Sequence, residues 1–334
     1  MPSPTKGDVH VNRPLTNISV AYLQDAKNFV ADSVFPNIPV SKQSDLYYMY
    51  DRGYFNRDEM KERAPGTESA GGEYAIEVDT PYYAKVYAFH HDISDQRRSN
   101  SDSELAPDKE ATELVTRKGL IKRERLWATK FFVTSVWTNN RVGITATPVA
   151  GTSVLLWNQD DSTPIEDVRA AKTIVLESTG FEPNTLVMGQ RVLDALSDHP
   201  DIVDRVKYGQ TSGGPAQIEL SELVGLLKVE RIFVMKSIVN TAAQGAANVH
   251  EFIGGRHALL VYSAPSPGLM TPSGGYTFSW TGYLGAQAQG QRIKRFRMDH
   301  LESDRVEIDM AFDQKLISAD LGFFFEDIVA ATTV

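Results

Sequence analysis

The chain has 334 residues, 43 acidic against 34 basic side chains, and no cysteine. That length allows two domains or one elaborate domain with a sizeable core, and the lack of thiols excludes disulfides, thiolate metal sites and cysteine nucleophiles. The acidic balance argues against nucleic-acid affinity driven by net charge but leaves room for a local basic face; no apolar run approaches the ~18 residues that span a bilayer, and residues 1–12 lack the apolar centre of a signal peptide, so synthesis in a cytoplasm is expected.

In chain order, residues 1–17 are rich in proline, polar and charged groups and show no periodicity, which reads as an extended arm. A short helix is expected over residues 19–33, where Tyr22, Leu23, Ala26, Phe29 and Val30 share a face, before Pro36 and Pro39 return the chain to extended structure. Such an arm either docks on something else or packs on its own domain. Residues 46–92 turn to β: Tyr47, Tyr48, Met49 and Tyr50 open one strand, and Tyr74, Ile76 and Val78 alternate with Glu73, Ala75 and Glu77 on a return strand. Between them lies a long polar tip with Pro65, Gly66, Gly71 and Gly72. A two-stranded excursion is only marginally stable alone in water, so it is expected to rest on a neighbouring domain or subunit.

Residues 108–138 form the longest helical pattern in the chain. Leu114, Val115, Ile121, Ala128, Phe132 and Val136 recur at helical steps, and Leu120, Trp127 and Phe131 widen the stripe. Pro107 suits a first-turn position, Asp108 and Glu110 complement the helix dipole, and Asn139, Asn140 and Gly143 favour an exit. At about 1.5 Å per residue the helix would run roughly 45 Å and act as a spine. Beyond it, Val154 to Trp157 make a brief apolar run, and Thr163, Pro164 and Glu166 open a helix that ends at Gly180. Strand TLVM, helix GQRVLDALSDHP, a stretch near 202–208, the break QTSGGPAQ, helix SELVGLL and strands VERIFVMKSIV and HALLVYSA complete an α/β pattern. The final part is mostly β, with RIKRFRM and RVEIDMAF as two antiparallel strands joined by DHLESD.

Catalytic signatures are thin. His250 and Glu251 begin an HExxH-like string, but its fifth position is Gly254. His90, His91, Asp92 and Asp95 lack a spacing that fixes metal geometry. Neither GxSxG, the P-loop pattern nor GxGxxG occurs, and sequence does not exclude a triad of scattered Ser, His and Asp.

The run QDAKNFVADSVFPNIPVSKQSDLYYMYDRG, followed by NRDEMKERAPGTESAGGEY, resembles the amino-terminal part of tailed-phage major capsid proteins. The order of elements along nearly the whole chain is similar to the HK97-type capsid fold. That resemblance implies an α+β subunit: an N-terminal arm with a short helix (1–45), an extended β loop (46–92), a peripheral domain with the spine helix (93–161, spine about 107–140), an α/β axial domain (162–289), and return strands to the peripheral domain (290–334). It implies a structural subunit without catalytic residues, cofactor or metal, self-assembling as pentamers and hexamers into an icosahedral head around double-stranded DNA. Partners would be further copies, a separate scaffolding protein, a portal protein and a cement or decoration protein, with no membrane contact. The protein would reside in the virion after synthesis in the host cytoplasm. Crosslinking residues of the HK97 type-protein find no match here.

On this reading the tip charges Arg57, Asp58, Glu59, Lys61, Glu62, Arg63 and Glu68 are candidates for contacts between subunits, against the alternative of a solvated loop. Arg117, Lys118, Lys122, Arg123 and Arg125 on the spine are candidates for facing packaged DNA, against a solvated or acid-paired face. Arg292, Lys294, Arg295 and Arg297 carry the same two readings. The alternatives are an encapsulin-like nanocompartment shell enclosing protein cargo and, from a different class, a mixed α/β enzyme.

Overall fold

A computed structural model describes residues 24–101, 106–209, 220–268, 270–285 and 290–331. The expected arm over 1–17, the start of the expected helix at 19–33 and the break at 210–217 lie outside the described residues. From Gln24 the chain makes a 3-10 turn (Ala26–Asn28) and a separate helical turn, α1 (Ala31–Val34). One continuous helix does not form through this stretch. Phe29 is extended, and the N–H groups of Val30 and Ala31 donate to the Glu124 carboxyl rather than continuing the turn before them.

Next come β1 (Asn37–Val40), β2 (Ser44–Tyr50), α2 (Arg52–Phe55), β3 (Ile76–Tyr83), β4 (Lys85–Ser94) and α3 (Asp95–Ser99), which lead to the spine helix α4 (Pro107–Phe131). Pro107 and Asp108 occupy its first turn as the sequence suggests. Its end differs from the expected residue 138. The Trp137 indole N–H folds back to donate to the Phe131 carbonyl at 2.8 Å, Ser135 adopts φ 72°, and residues from 139 enter strand β5 (Asn139–Ile144). The buried face also differs. It runs Ala111, Val115, Gly119, Arg123, Trp127 and Phe131 at four-residue steps with Glu124 and Ala128 alongside, whereas Leu114 is exposed.

The rest of the chain contributes β6 (Ser153–Leu155), α5 (Pro164–Thr179), β7 (Thr185–Gly189), α6 (Gln190–Asp198), α7 (Pro200–Gly209), α8 (Leu220–Leu227), β8 (Arg231–Met235), β9 (Ile238–Asn240), β10 (His250–Phe252), β11 (Ala258–Val261), β12 (Gly275–Trp280), α9 (Thr281–Leu284), β13 (Gln291–Met298), β14 (Ser303–Leu316) and β15 (Gly322–Glu326). Thr163 stands at the N-cap of α5 without a side-chain capping bond, and Pro164 opens the helix. The run VERIFVMKSIV is not one strand: it breaks between β8 and β9 at Lys236 and Ser237, where Ser237 turns toward Glu124.

Two sheets share the spine. In the first, β14 pairs antiparallel with β4 over residues 303–312 and with β13 and then β12 on its other edge, and β1 adds in parallel to β12. Val306, Ile308, Met310 and Phe312 alternate toward the spine and meet Ala111, Val115 and Ile93. In the second, the strand order is β6-β5-β15-β11-β7-β8. Leu186, Met188, Leu260, Phe323 and Phe325 face helices α5 to α8, while Val187, Leu259, Val261 and Phe324 face Trp127, Phe131, Phe35 and Trp137 on the other side. A sheet buried on both faces reads as unbroken apolar runs, as in ALLV and FFF.

Strand β12, from the 162–289 stretch, pairs with β14 in the first sheet, and β15, from the 290–334 stretch, lies between β5 and β11 in the second. Both assignments depend on pairing partners far away in sequence.

Gly119 sets the distance between spine and sheet. A Cβ there would lie 2.8 Å from Ile308 Cδ1 and 3.3 Å from Met310 Sδ. Gly119→Leu is expected to lower stability by about 1–3 kcal/mol through overpacking. Thermal unfolding of the purified chain should show a reduced midpoint, and an unchanged midpoint would rule out this close crossing.

Candidate assembly surface

The sequence signals that made the 46–92 segment a hairpin are found in pairing: β2 runs antiparallel to β3, with a register shift between Tyr47 and Met49. Its base rests on the chain's own peripheral sheet. Tyr82 stacks on Phe278 at 4.6 Å and 8°, and Tyr47 stacks on the same ring at 5.8 Å. Further out, Tyr50, Phe55 and Tyr74 form a small aromatic group, and beyond it the tip is exposed, with Met60 92 % accessible. Arg57, Asp58, Glu59, Lys61, Glu62, Arg63 and Glu68 are all exposed. Arg57 lies over the Tyr54 ring at 5.2 Å, and Arg63 Nε donates to the Thr67 carbonyl. Among the described residues, no carboxylate pairs with either guanidinium or with Lys61 within 4.0 Å. The structure thus brings the tip charges together on one projecting element.

The spine candidates separate. Lys118, Lys122 and Arg125 are exposed, Arg117 is half-buried, and Lys122 Nζ sits 5.2 Å over the Tyr87 ring. Arg123 is different: it is 3 % exposed, its Nη1 donates to Asp32 at 2.6 Å, and its guanidinium packs 4.7 Å over the Phe312 ring. The expectation that Arg123 faces DNA is corrected, because its side chain points into the junction of spine, arm and sheet. The β13 cluster is acid-paired. Arg292 meets Asp309 at 3.2 Å, Lys294 meets Asp309 at 2.5 Å and Glu307 at 3.3 Å, Arg295 meets Asp108 and Asp304 at 3.1 Å each, and Arg297 grips Asp95 with both Nη atoms. Arg98, then Arg295, holds the Asp304 carboxyl below the usual range, and Arg297 does the same to Asp95.

Glu124 is a buried carboxyl that the sequence reading did not single out. It is fully buried, and burial pushes its carboxyl up to about 7 against the opposing N–H bonds from Ala31 and Val30. Positions 123 and 124 fall within the four-residue repeat of the buried face, so two charged side chains there were the available signal.

Catalytic constellations do not form at the residues that suggested them. Asp92 is engaged bidentately by Arg305 at 2.7 and 2.8 Å, and Asp95 by Arg297. His199 Nε2 lies 2.9 Å from Ser162 Oγ, both buried, but His199 Nδ1 accepts the Asp201 N–H. The ring proton therefore sits on Nε2 and is donated to Ser162, whose own proton goes to the Gln159 carbonyl at 2.7 Å. This histidine has no lone pair left to activate that serine. An open concavity of about 730 Å³, lined by Thr145, Thr147, Asn158, Asp160 and Asp161, holds no histidine or basic residue.

Comparison with known proteins agrees with this geometry. Residues 143–261 match the family model of phage major capsid protein E. A major capsid protein of Pseudomonas phage JBD67 is 27 % identical over 325 residues, covering 96 % of this chain and 98 % of the relative. Among solved structures, a phage-related protein of Bordetella bronchiseptica RB50 superposes with a TM-score of 0.66 at 22 % identity, over 91 % of this chain and 93 % of that one. The capsid of cyanophage P-SCSP1u gives 0.58 at 9 % identity, over 94 % and 91 %. The SrpI encapsulin of Synechococcus elongatus PCC 7942 gives 0.54 at 10 % identity, over 96 % of each chain. Part of the chain thus resembles the phage major capsid protein E family, the chain along nearly its whole length resembles a phage major capsid protein, and its fold is the HK97-type fold of phage capsid structures.

Proposed function

We propose that the subunit assembles as pentamers and hexamers into an icosahedral phage head enclosing double-stranded DNA. The observation that supports this most directly is the hairpin: one chain leaves Tyr48, Phe55, Met60 and Tyr74 exposed on an element whose tip cations Arg57, Lys61 and Arg63 have no ion-pair partner among the described residues, while Arg52 nearer the base pairs with Asp320. A neighbouring copy supplies both the apolar contact and the opposite charges. Each exposed pair is worth only about 0–1 kcal/mol, but symmetry repeats it at every equivalent contact, so the pairs set geometry more than strength.

In this reading residues 46–92 form the extended loop, the β14 sheet with the spine forms the peripheral domain, and the six-stranded sheet with α5 to α8 forms the axial domain. The spine and its strands rotate together when a rounded precursor shell expands. The subunit is made in the host cytoplasm and works with a separate scaffolding protein, a portal protein and a cement or decoration protein. Assembly calls for no catalytic step. A nanocompartment shell enclosing protein cargo is the second reading, favoured by the encapsulin likeness; the contents of purified shells separate the two.

Electron microscopy and size-exclusion chromatography, with and without a candidate scaffolding protein, are expected to show closed shells or tiling capsomers. A stable monomer under every condition overturns the reading. Reversing Arg57, Lys61 and Arg63 to Glu should sharply reduce shell yield while leaving subunit stability within about 0.5 kcal/mol, as for exposed substitutions generally.

Lys118, Lys122 and Arg125, with Arg117 beside them, are assigned to the DNA-facing side. Changing the first three to Gln is expected to leave shells intact and to flatten the salt dependence of DNA retention, because fewer phosphates are neutralised. Arg123→Ala should instead lower subunit stability by about 1–3 kcal/mol, since it removes a buried guanidinium that packs on Phe312 and pairs with the half-exposed Asp32. Equal behaviour of the two variants would contradict their separation.

A further inference from the structure

The described N-terminal segment meets the spine and the β8–β9 connection before Ser263 Oγ holds the Val34 carbonyl and β1 pairs with β12. Gln24 pairs with the Ile238 backbone in both directions, its Nε2 donating to the carbonyl and its Oε1 accepting from the N–H, each at 2.8 Å. Further along, the Val30 N–H reaches the two Glu124 oxygens at 3.0 and 3.1 Å, and the Ala31 N–H reaches one of them at 2.8 Å. These amides open α1, where no side chain of the segment itself provides a cap. Ser237, the neighbour of Ile238, approaches the same carboxyl at 3.4 Å. Arm, spine and the β8–β9 connection therefore meet on one buried glutamate.

We propose that Glu124 is a proton-operated latch for the N-terminal arm: residues 24–35 dock on the spine with a proton taken up at this carboxyl, and docking weakens as pH rises past neutrality. The geometry accommodates both protonation states. The ionised carboxylate accepts from Val30, Ala31 and Ser237; the acid keeps an oxygen for the two amides and donates its own proton to Ser237 Oγ, which reverses that bond. The charged groups facing the site do not hold it ionised. Asp32 of α1 repels the carboxylate. Arg123, the neighbour of Glu124 on the spine, is engaged with Asp32 at 2.6 Å. The β8–β9 connection offers only the Ser237 hydroxyl, since the side chain of Lys236 is exposed.

The sign follows from linkage. With the arm docked, burial raises the carboxyl from 4.5 to about 7. Undocking exposes it to water and returns it toward its ordinary value. Between those values the docked state holds the extra proton, so docking is strongest on the acid side and declines as pH rises through about 7. A shift of this size changes the docking equilibrium on the order of a hundredfold. The latch is built from residues of a single subunit, so it stands independently of the shell geometry.

The test is hydrogen–deuterium exchange on the full chain from pH 5.5 to 8.5, corrected for intrinsic rates. Amides 29–35 are followed against the β7 and β11 amides of the axial sheet as internal control. Protection of amides 29–35 should fall by about thirtyfold toward alkaline pH while the control amides stay constant. Glu124→Gln keeps an acceptor oxygen and has no proton to lose, so its protection should be flat with pH. A flat wild-type profile, or a profile that persists in Glu124→Gln, overturns the latch. Should that variant fail to fold, Asp32→Asn decides: removing the repelling carboxylate must move the wild-type midpoint to lower pH, and an unmoved midpoint rejects the proposal.

Discussion

Adjacent buried ionisable side chains on the spine helix, Arg123 and Glu124, are the constraint on which the rest of this subunit depends. Successive residues of an α-helix point about 100° apart, so two neighbours cannot serve the same contact. Arg123 reaches Asp32 of the arm and the Phe312 face of the peripheral sheet. Glu124 reaches the amides of Val30 and Ala31 and the Ser237 hydroxyl beside the axial sheet. One helical turn thereby fixes the position of three pieces of chain that are far apart in sequence. A buried ion is costly unless its partners are all present, so the site is satisfied only when arm, spine and both sheets are correctly placed.

The two sheets divide the remaining work by how many faces they bury. The axial sheet is covered on both sides, and its strands are accordingly apolar throughout. The peripheral sheet has the spine on one side only. On β14 the side away from the spine is occupied by Arg305, Glu307 and Asp309, matched by Asp92 of β4 and by Arg292 and Lys294 of β13. These pairs also put arginines and a lysine along β13, whose outer edge has no strand beside it among the described residues. Charge on an edge strand discourages uncontrolled pairing with another chain, which matters for a protein present in many copies.

Elements with local signals were readable from the sequence. Pro107 and Asp108 at the start of the spine, Pro164 at the start of α5, the alternation in 76–78 and the antiparallel pair around residues 299–302 all rest on nearby residues. The missed features are those decided by distant partners. The spine stops at Phe131 because Trp137 returns to its carbonyl, and nothing within the helical pattern announces that. FFF at 323–325 looked like part of the peripheral return because its two flanking strands, β5 and β11, are remote in sequence. At the assembly surface, the exposed charges of the hairpin tip were legible from their polar, glycine-rich surroundings. The buried role of Arg123 was not, because a basic run on a helix looks the same whether its residues face solvent or a carboxylate.

The placement of apolar surface separates folding from assembly within one chain. The large buried rings, Trp127, Trp157, Phe131 and Phe323 to Phe325, lie in the two cores around the spine and the axial sheet. The hairpin instead is fixed near its base, through Tyr47 and Tyr82 on Phe278, the Tyr83 N–H on Asp313 and the Arg52–Asp320 ion pair, and carries exposed aromatics beyond. A two-stranded element anchored at one end can bend to meet a neighbour at slightly different angles without disturbing either core. The proposed five-fold and six-fold rings of identical subunits would call for that kind of compliance, and the hairpin, with its exposed tip, is the element that offers it.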